Sequence, residues 1–324
     1  MLKVSELKRR IGIIVNKSPI KPLFDIGNLL LFHWSDRQII SHPGKDERKV
    51  LVIRPQTNTQ GLLSTYLYVL KYVRWAILNR MTAYVDFESS KCQYYTGRSI
   101  HGSKNAWEYY FEQPSTICRS SLDTAGTIVY SGWTLNKDKP APIPKRPEVS
   151  LDPEIVSIAK TFCPVKQYIL DIADEKYRNL FLGRVLGVFL RGTDYVRMEP
   201  KGHARQPSLK DVIAKIDDFL CKYVIDWIFV VTEDLSYYSE LKRRYGNIII
   251  SSDDYFVDYK SGDGYVGEVF TNDAYIRGLN YLVRILLFGR CDYVISGITN
   301  GSVVANLLKE KEPIESYWFD LGLY

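Results

Sequence analysis

The stretch Val185-Leu-Gly-Val-Phe-Leu-Arg191-Gly-Thr-Asp-Tyr-Val-Arg-Met-Glu199-Pro-Lys-Gly-His203 decides how this chain is read. Its first six residues are apolar and rich in Val and Leu, the composition of a strand covered on both faces in a parallel sheet. At Arg191 the character changes abruptly to Arg-Gly-Thr-Asp. Open α/β sheets bind their ligands at the carboxyl ends of strands, so Arg191, Thr193 and Asp194 stand where a ligand would lie.

The same punctuation recurs downstream. Ser208 caps a helix whose Leu209, Val212, Ile213, Ile216, Phe219 and Leu220 share one face. The strand Trp227–Val231 ends in Thr232-Glu233-Asp234, and a helix follows over about 236–245. A strand over 247–250 ends in Ser251-Ser-Asp253-Asp254. A helix bearing Ala274, Ile276, Leu279, Leu282, Val283 and Leu286 leads into Cys291–Ser296, the turn Gly297–Gly301 and a helix over 302–309. Four strands thus end in small polar or acidic residues. Repeated βα units of this kind specify a parallel sheet with right-handed crossovers and a ligand site at the convergent strand ends.

Upstream, Lys49–Arg54 reads as a strand, 62–79 as a helix and Thr82–Phe87 as a second strand. The loop of this βαβ unit places Asn58, Gln60 and Gly61 at a strand's carboxyl end, where a helix N-terminus faces an anion or a sugar. It contains no Gly-x-Gly-x-x-Gly, which argues against a dinucleotide fingerprint. Residues 153–180 read as helical. Residues 1–49 include an Ile11–Val15 run, His33-Trp34 and His42, and 88–135 include the aromatic cluster Trp107–Phe111; neither segment shows a clear period. Four prolines in 136–147 read as a semi-rigid linker. The expected division is an amino-terminal α/β domain over 1–147 and a second over 153–324, with the tail Trp318–Tyr324 folding back on the core.

A length of 324 residues suits two domains, and a net charge of +6 without a Lys/Arg block fits a solvated surface with weak affinity for phosphates. No nucleic-acid recognition module or basic stripe is present. Five widely spaced cysteines with no Cys-x-x-Cys pair favour a reducing cytoplasm, and neither an export signal nor a membrane span is legible.

Leu190-Arg191-Gly-Thr-Asp194, Val230-Val-Thr-Glu-Asp234 before a helix, and Arg290-Cys-Asp-Tyr-Val-Ile-Ser296 with its small polar turn together resemble the three motifs of the fucosyltransferase superfamily. That superfamily includes the α-1,6-, α-1,2- and protein O-fucosyltransferases. The resemblance covers roughly 183–308. It implies an α/β, GT-B-like fold of two Rossmann-like domains facing a central cleft. It also implies an inverting, metal-independent transfer of fucose from GDP-fucose, with no cofactor, here of the bacterial polysaccharide-biosynthesis type.

On this resemblance, Arg191 matches the arginine that holds the donor β-phosphate, and a guanidinium suits a diphosphate that gains charge as it leaves. Arg191 is also placed for an ion pair with Asp194 or Glu233. Glu199 lies where the α-1,6 enzymes place a glutamate thought to act as the base on the acceptor hydroxyl, with His203 as the other candidate. Thr193, Asp194, Thr232, Glu233, Asp234, Thr299, Asn300 and Ser302 are expected around the donor, unless those in the later motifs serve as N-caps and turn residues. The chain departs from the family at Phe189, where His is common two residues before the arginine. It departs again near Leu282, in the helix where the α-1,6 branch carries an Asp that reads guanine. Asp253 or Asp254 is then the candidate acceptor for the base. The expected partners are a nucleotide sugar and a glycan or lipid-linked glycan, with cytoplasmic work at most peripheral to the membrane. The competing readings are a catalytically silent sugar-nucleotide or glycan-binding protein and, more remotely, a nucleic-acid-binding protein.

Overall fold

The computed structural model describes residues 40–41, 45–57, 60–131, 140–191, 196, 199–252, 256–258 and 273–324. The Ile11–Val15 run, His33-Trp34 and His42 lie outside these residues.

In the amino-terminal half, β1 (Ile40–Ser41), β2 (Lys49–Ile53), helix α1 (Leu62–Leu78), β3 (Thr82–Val85) and β4 (Thr127–Tyr130) form a sheet in the order β1-β4-β2-β3. β2 runs parallel to both β3 and β4, and the two-residue β1 is antiparallel at the edge. Val50 to Ile53 are all buried, as an interior strand covered on both faces requires. β4 lies in the region where the sequence shows no period, because Thr-Ile-Val-Tyr is too short to display one.

The helix expected over 153–180 is in fact two, α2 (Pro153–Phe162) and α3 (Gln167–Leu180). Pro164 disfavours helical backbone at the residue before it, and Cys163 sits at φ −135° as the cap of α2. Of the proline-rich segment read as a linker, the described part from Pro140 on is docked rather than free. Ile143 and Val149 are buried, and the Pro147 carbonyl accepts a 2.6 Å bond from Asn306 Nδ2.

The carboxy-terminal half contains β5 (Val185–Phe189), α4 (Leu209–Lys222), β6 (Trp227–Val231), α5 (Leu235–Tyr245), β7 (Ile249–Ile250), α6 (Ala274–Phe288), β8 (Tyr293–Gly297), α7 (Asn300–Leu308) and β9 (Glu315–Phe319). Its sheet runs β7-β6-β5-β8-β9 and every pairing is parallel. β5 is central and buried along its whole length. Val185 and Phe189 join the core that includes α6 and α7, whereas Leu186, Val188 and Leu190 join Val212, Ile216 and Phe219 of α4. At Gly187 a Cβ would lie 2.8 Å from Cys291 Sγ and 2.9 Å from the Phe288 ring, so β5 passes α6 closely only because the side chain is absent.

Two strands of this half differ from the sequence reading as well. β7 has two residues, because Gly246–Ile248 forms a 3-10 turn just before it. β9, which the sequence did not reveal, adds a fifth strand beside β8; three exposed residues at its start hide the pattern of a buried strand.

The two halves share one core, and α6 joins them. The ring of Tyr110 stacks on Tyr275 with centroids 5.9 Å apart, and its hydroxyl donates a 3.0 Å bond to the Tyr275 carbonyl. Asp273 caps α6 by accepting from Tyr275 N and also pairs with Arg98 at 2.8 Å. Gly278 is the point of closest approach, where a Cβ would stand 2.3 Å from Tyr110 Oη. All five cysteines are free, and among the described residues no helix is long and apolar enough to cross a membrane.

Because Tyr110 is fully buried and cannot swing aside, Gly278→Ala is expected to lower stability by about 1–3 kcal/mol. The urea unfolding midpoint measures this, and a midpoint equal to that of the wild type would show that the contact yields easily.

Candidate functional site

Arg191 leaves the sheet just beyond β5, after a last ladder bond from Leu190 N to the Val231 carbonyl at 2.9 Å. Glu233 leaves just beyond β6. Because β5 and β6 are adjacent and parallel, the two side chains meet: Arg191 Nη1 lies 3.1 Å from Glu233 Oε1, with the side chains 22% and 12% exposed. Of the two ion pairs the sequence allowed for Arg191, the Glu233 pair is observed. Thr193, Asp194, Asn58, Asp253 and Asp254 lie outside the described residues.

The polar residues at the other strand ends divide into two sets. Thr232, Asp234, Thr299 and Ser302 build helix N-termini. Asp234 accepts from Ser236 N and Tyr237 N at the start of α5, while Thr299 and Ser302 form a reciprocal capping box at the start of α7. Thr232, Asp234 and Ser302 are 0–1% exposed, so what they present to a ligand is positioned backbone rather than their own side chains. Asn300 is different, since its Oδ1 is buried and makes no hydrogen bond among the described residues; Gln60 Oε1, beside the N-terminus of α1, is in the same state. Unsatisfied buried acceptors are rare enough that each asks for a reason, and a ligand donor is one.

Phe189 explains itself. Its ring meets the Phe288 ring edge-on at 5.5 Å and reaches to within 2.7 Å of where a Gly301 Cβ would stand. The position that is commonly His in the resembling family is here a core side chain under the first turn of α7. Leu282 is likewise wholly buried and offers nothing to a base.

The amino-terminal half approaches through Gln60, Gln93 and Tyr94. Gln93 Nε2 donates to the Gln60 carbonyl at 2.8 Å, and Arg277 of α6 donates to the Gln93 carbonyl at 3.3 Å while lying over the Tyr94 ring. Burial raises the Tyr94 phenol above its ordinary pKa. The Leu62 N–H bonded to its oxygen and the charges of Arg277 and Arg191 act in the opposite direction.

The loop after Arg191 holds both candidate bases. Glu199 is exposed, makes no side-chain hydrogen bond or ion pair among the described residues and has φ +41°, a left-handed backbone that costs about 1–2 kcal/mol for a residue with a Cβ. His203 is half-buried, and its pKa is held below the ordinary 6.5 first by burial and then by the charges of Lys145 and Arg191. The loop is clamped by the end of the chain: Arg205 N donates to the Gly322 carbonyl, Tyr324 N donates to the His203 carbonyl, and Arg205 lies over the Tyr324 ring. Gln206 ties the loop to the turn after β8 by a 3.0 Å bond to the Ile298 carbonyl.

Sequence reasoning missed Arg284, a buried arginine of α6 whose Nη1 donates to the Thr232 carbonyl at 3.0 Å and braces the end of β6. A lone Arg inside Tyr281-Leu-Val-Arg-Ile-Leu-Leu was the available signal. Arg290 and Asp292, quoted with the third motif, lie at the opposite end of the sheet. Arg290 bonds Asp174 and Glu310, each at 2.7 Å, and Asp292 accepts from Val185 N, so both are structural. Among the described residues no group of three or more His, Cys, Asp or Glu side chains is arranged to hold a metal ion.

No protein-family model and no curated protein matches the sequence. The fold is similar to that of fucosyltransferase NodZ from Bradyrhizobium, at 14% identity over 82% of this chain and 94% of that one with a TM-score of 0.50. It is also similar to that of POFUT1 in complex with GDP-fucose, at 12% identity over 87% of this chain and 100% of that one, again with a TM-score of 0.50. At these identities the likeness is one of fold, and it agrees with the α/β, GT-B-like architecture.

A double-mutant cycle of Arg191→Met and Glu233→Gln is expected to give a coupling of about 1–3 kcal/mol in chemical unfolding, since the pair is largely shielded from solvent. Additive single effects would mean that the pair contributes nothing to the fold.

Proposed function

We propose that the protein is a glycosyltransferase that moves fucose, or a related sugar, from a nucleoside-diphosphate donor to a glycan acceptor. GDP-fucose is the donor best supported, because the fold is shared with a protein whose structure holds it. The observation that carries the reading is Arg191, a guanidinium delivered by the central strand to the carboxyl edge of the sheet and steadied by Glu233. In this reading residues 153–324 hold the donor, residues 1–147 contact the acceptor, and Gln60 and Asn300 give their unsatisfied oxygens to ligand donors.

The chemistry follows from the charges. Displacement at the anomeric carbon with inversion forms the bond to the acceptor oxygen as the bond to the donor β-phosphate breaks. The leaving nucleoside diphosphate gains negative charge, which Arg191 meets in a partly desolvated setting where a fixed cation acts most strongly. The acceptor hydroxyl loses its proton to a base on the opposite side. His203 is suited to this because burial and two neighbouring cations keep it neutral at pH 7. Glu199 is the alternative, exposed and uncommitted. The reading includes no metal ion and sets the reaction in surface-polysaccharide assembly on the cytoplasmic side, at or near the inner face of the membrane.

A thermal-shift screen of GDP-, UDP-, dTDP- and CMP-sugars tests the donor, because a ligand that binds only the native state raises its melting temperature. GDP-fucose is expected to give the largest shift; no response to any nucleotide sugar would sink the reading, and binding without transfer would leave a sugar-nucleotide-binding protein. Arg191→Ala is expected to lower turnover by about 10²-fold or more with the fold retained.

The pH–rate profile separates the two bases. If His203 is the base, the neutral form is active, and the rate is maintained as pH falls past 6.5 and then drops at the lower pKa of the folded imidazole. This limb should vanish together with most of the activity in His203→Ala and survive in Glu199→Gln. The opposite pattern would assign the role to Glu199.

A further inference from the structure

The carboxyl edge of the first sheet carries a second set of cations that the proposed donor chemistry does not use. Arg54, the first residue beyond β2, lies with its guanidinium 3.6 Å from the centroid of the Tyr130 ring at the end of β4. The next residue, Ser131, accepts from Arg54 N at 2.8 Å and bonds the Tyr68 hydroxyl at 3.3 Å. Lys71, one turn along α1 from Tyr68, holds its ammonium over the rings of Tyr68 and Tyr72, 4.7 and 5.1 Å from their centroids. Lys145, exposed two residues beyond the buried Ile143, carries a charge that lowers the pKa of both Lys71 and His203.

Among the described residues none of these three cations is paired with a carboxylate, whereas Arg74 on the same helix is paired with Glu154. An ammonium that is partly desolvated and set beside another positive charge is unfavourable, and burial followed by Lys145 lowers the Lys71 pKa accordingly. An ammonium with no carboxylate partner among the described residues can accept an external one. The surroundings suit a sugar as well, since tyrosine rings with a hydroxyl at the tip offer both an apolar face and a hydrogen bond.

We propose that Arg54, Lys71 and Lys145 form a subsite for an anionic group, a phosphate or a carboxylate, on the acceptor glycan. This rests on the glycosyltransferase reading for the word acceptor, but not for the binding chemistry. The subsite would hold the anionic end of the acceptor while presenting a hydroxyl toward His203 and Arg191.

Calorimetric titration of the full chain, with and without GDP, tests it with three probes: N-acetylglucosamine 1-phosphate, a glucuronate-containing hyaluronan tetrasaccharide and neutral chitotetraose. At least one anionic probe is expected to bind about tenfold or more tightly than chitotetraose, and which one distinguishes phosphate from carboxylate. Its affinity is expected to fall about tenfold in Lys71→Gln/Lys145→Gln, and to fall when salt is raised from about 50 to about 300 mM. A circular-dichroism melt of the variant verifies that it is folded, and Arg54→Gln provides a second test if it is not. Equal binding of chitotetraose, anionic binding unchanged in the variants, or binding to anionic phospholipid vesicles with no soluble anionic glycan bound would overturn the subsite. GDP binding without anionic-glycan binding sinks the subsite alone; anionic-glycan binding without GDP binding supports it and sinks the donor reading.

Discussion

The structure depends on the close approach of Tyr110 to the backbone of α6 at Gly278. A tyrosine ring stacked on Tyr275, with its hydroxyl spent on a helix carbonyl, brings the amino-terminal half onto the helix that also covers β5 and β6. Arg98 pairing with Asp273, and Arg277 bonding Gln93, extend the same contact toward the strand ends. These contacts make the carboxyl edges of the two sheets neighbours, and every functional statement about the molecule rests on that adjacency.

Within this frame, charge is distributed unevenly. On the carboxy-terminal side Arg191 has Glu233 as a partner, and the N-termini of α5 and α7 are finished by their own capping side chains. On the amino-terminal side Arg54 and Lys71 lie over tyrosine rings, and among the described residues neither they nor Lys145 is paired with a carboxylate. Burial and then the charges of Lys145 and Arg191 lower the pKa of His203. A neutral imidazole is what such surroundings select, because protonation would add a third positive charge in a partly dry place.

The loop that follows Arg191 is held from two directions. The end of the chain pairs with residues 202–206, and Gln206 reaches the turn after β8. Gly202 has a left-handed backbone, and these ties fix the backbone of His203 beside it, whereas among the described residues no side-chain hydrogen bond or ion pair holds Glu199.

What the sequence determined by itself is the alternation of the carboxy-terminal half: strands read from 185, 227, 247 and 291, each followed by small polar or acidic residues, and the delivery of Arg191 to a sheet edge. These are legible because apolar runs, N-caps and strand ends are local signals. The break at Pro164, the two-residue β7 and the added strand β9 were hidden, since a helix boundary within an apolar pattern or a short edge strand leaves little trace in composition. Only the tertiary structure decided that Glu233 is the partner of Arg191, that Phe189 belongs to the core, that Arg290 serves the far end of the sheet, and that Arg284, Tyr94 and Lys145 flank the site. Each of these joins residues far apart in the chain, and no periodicity carries that information: it arises when packing around α6 sets which side chains become neighbours.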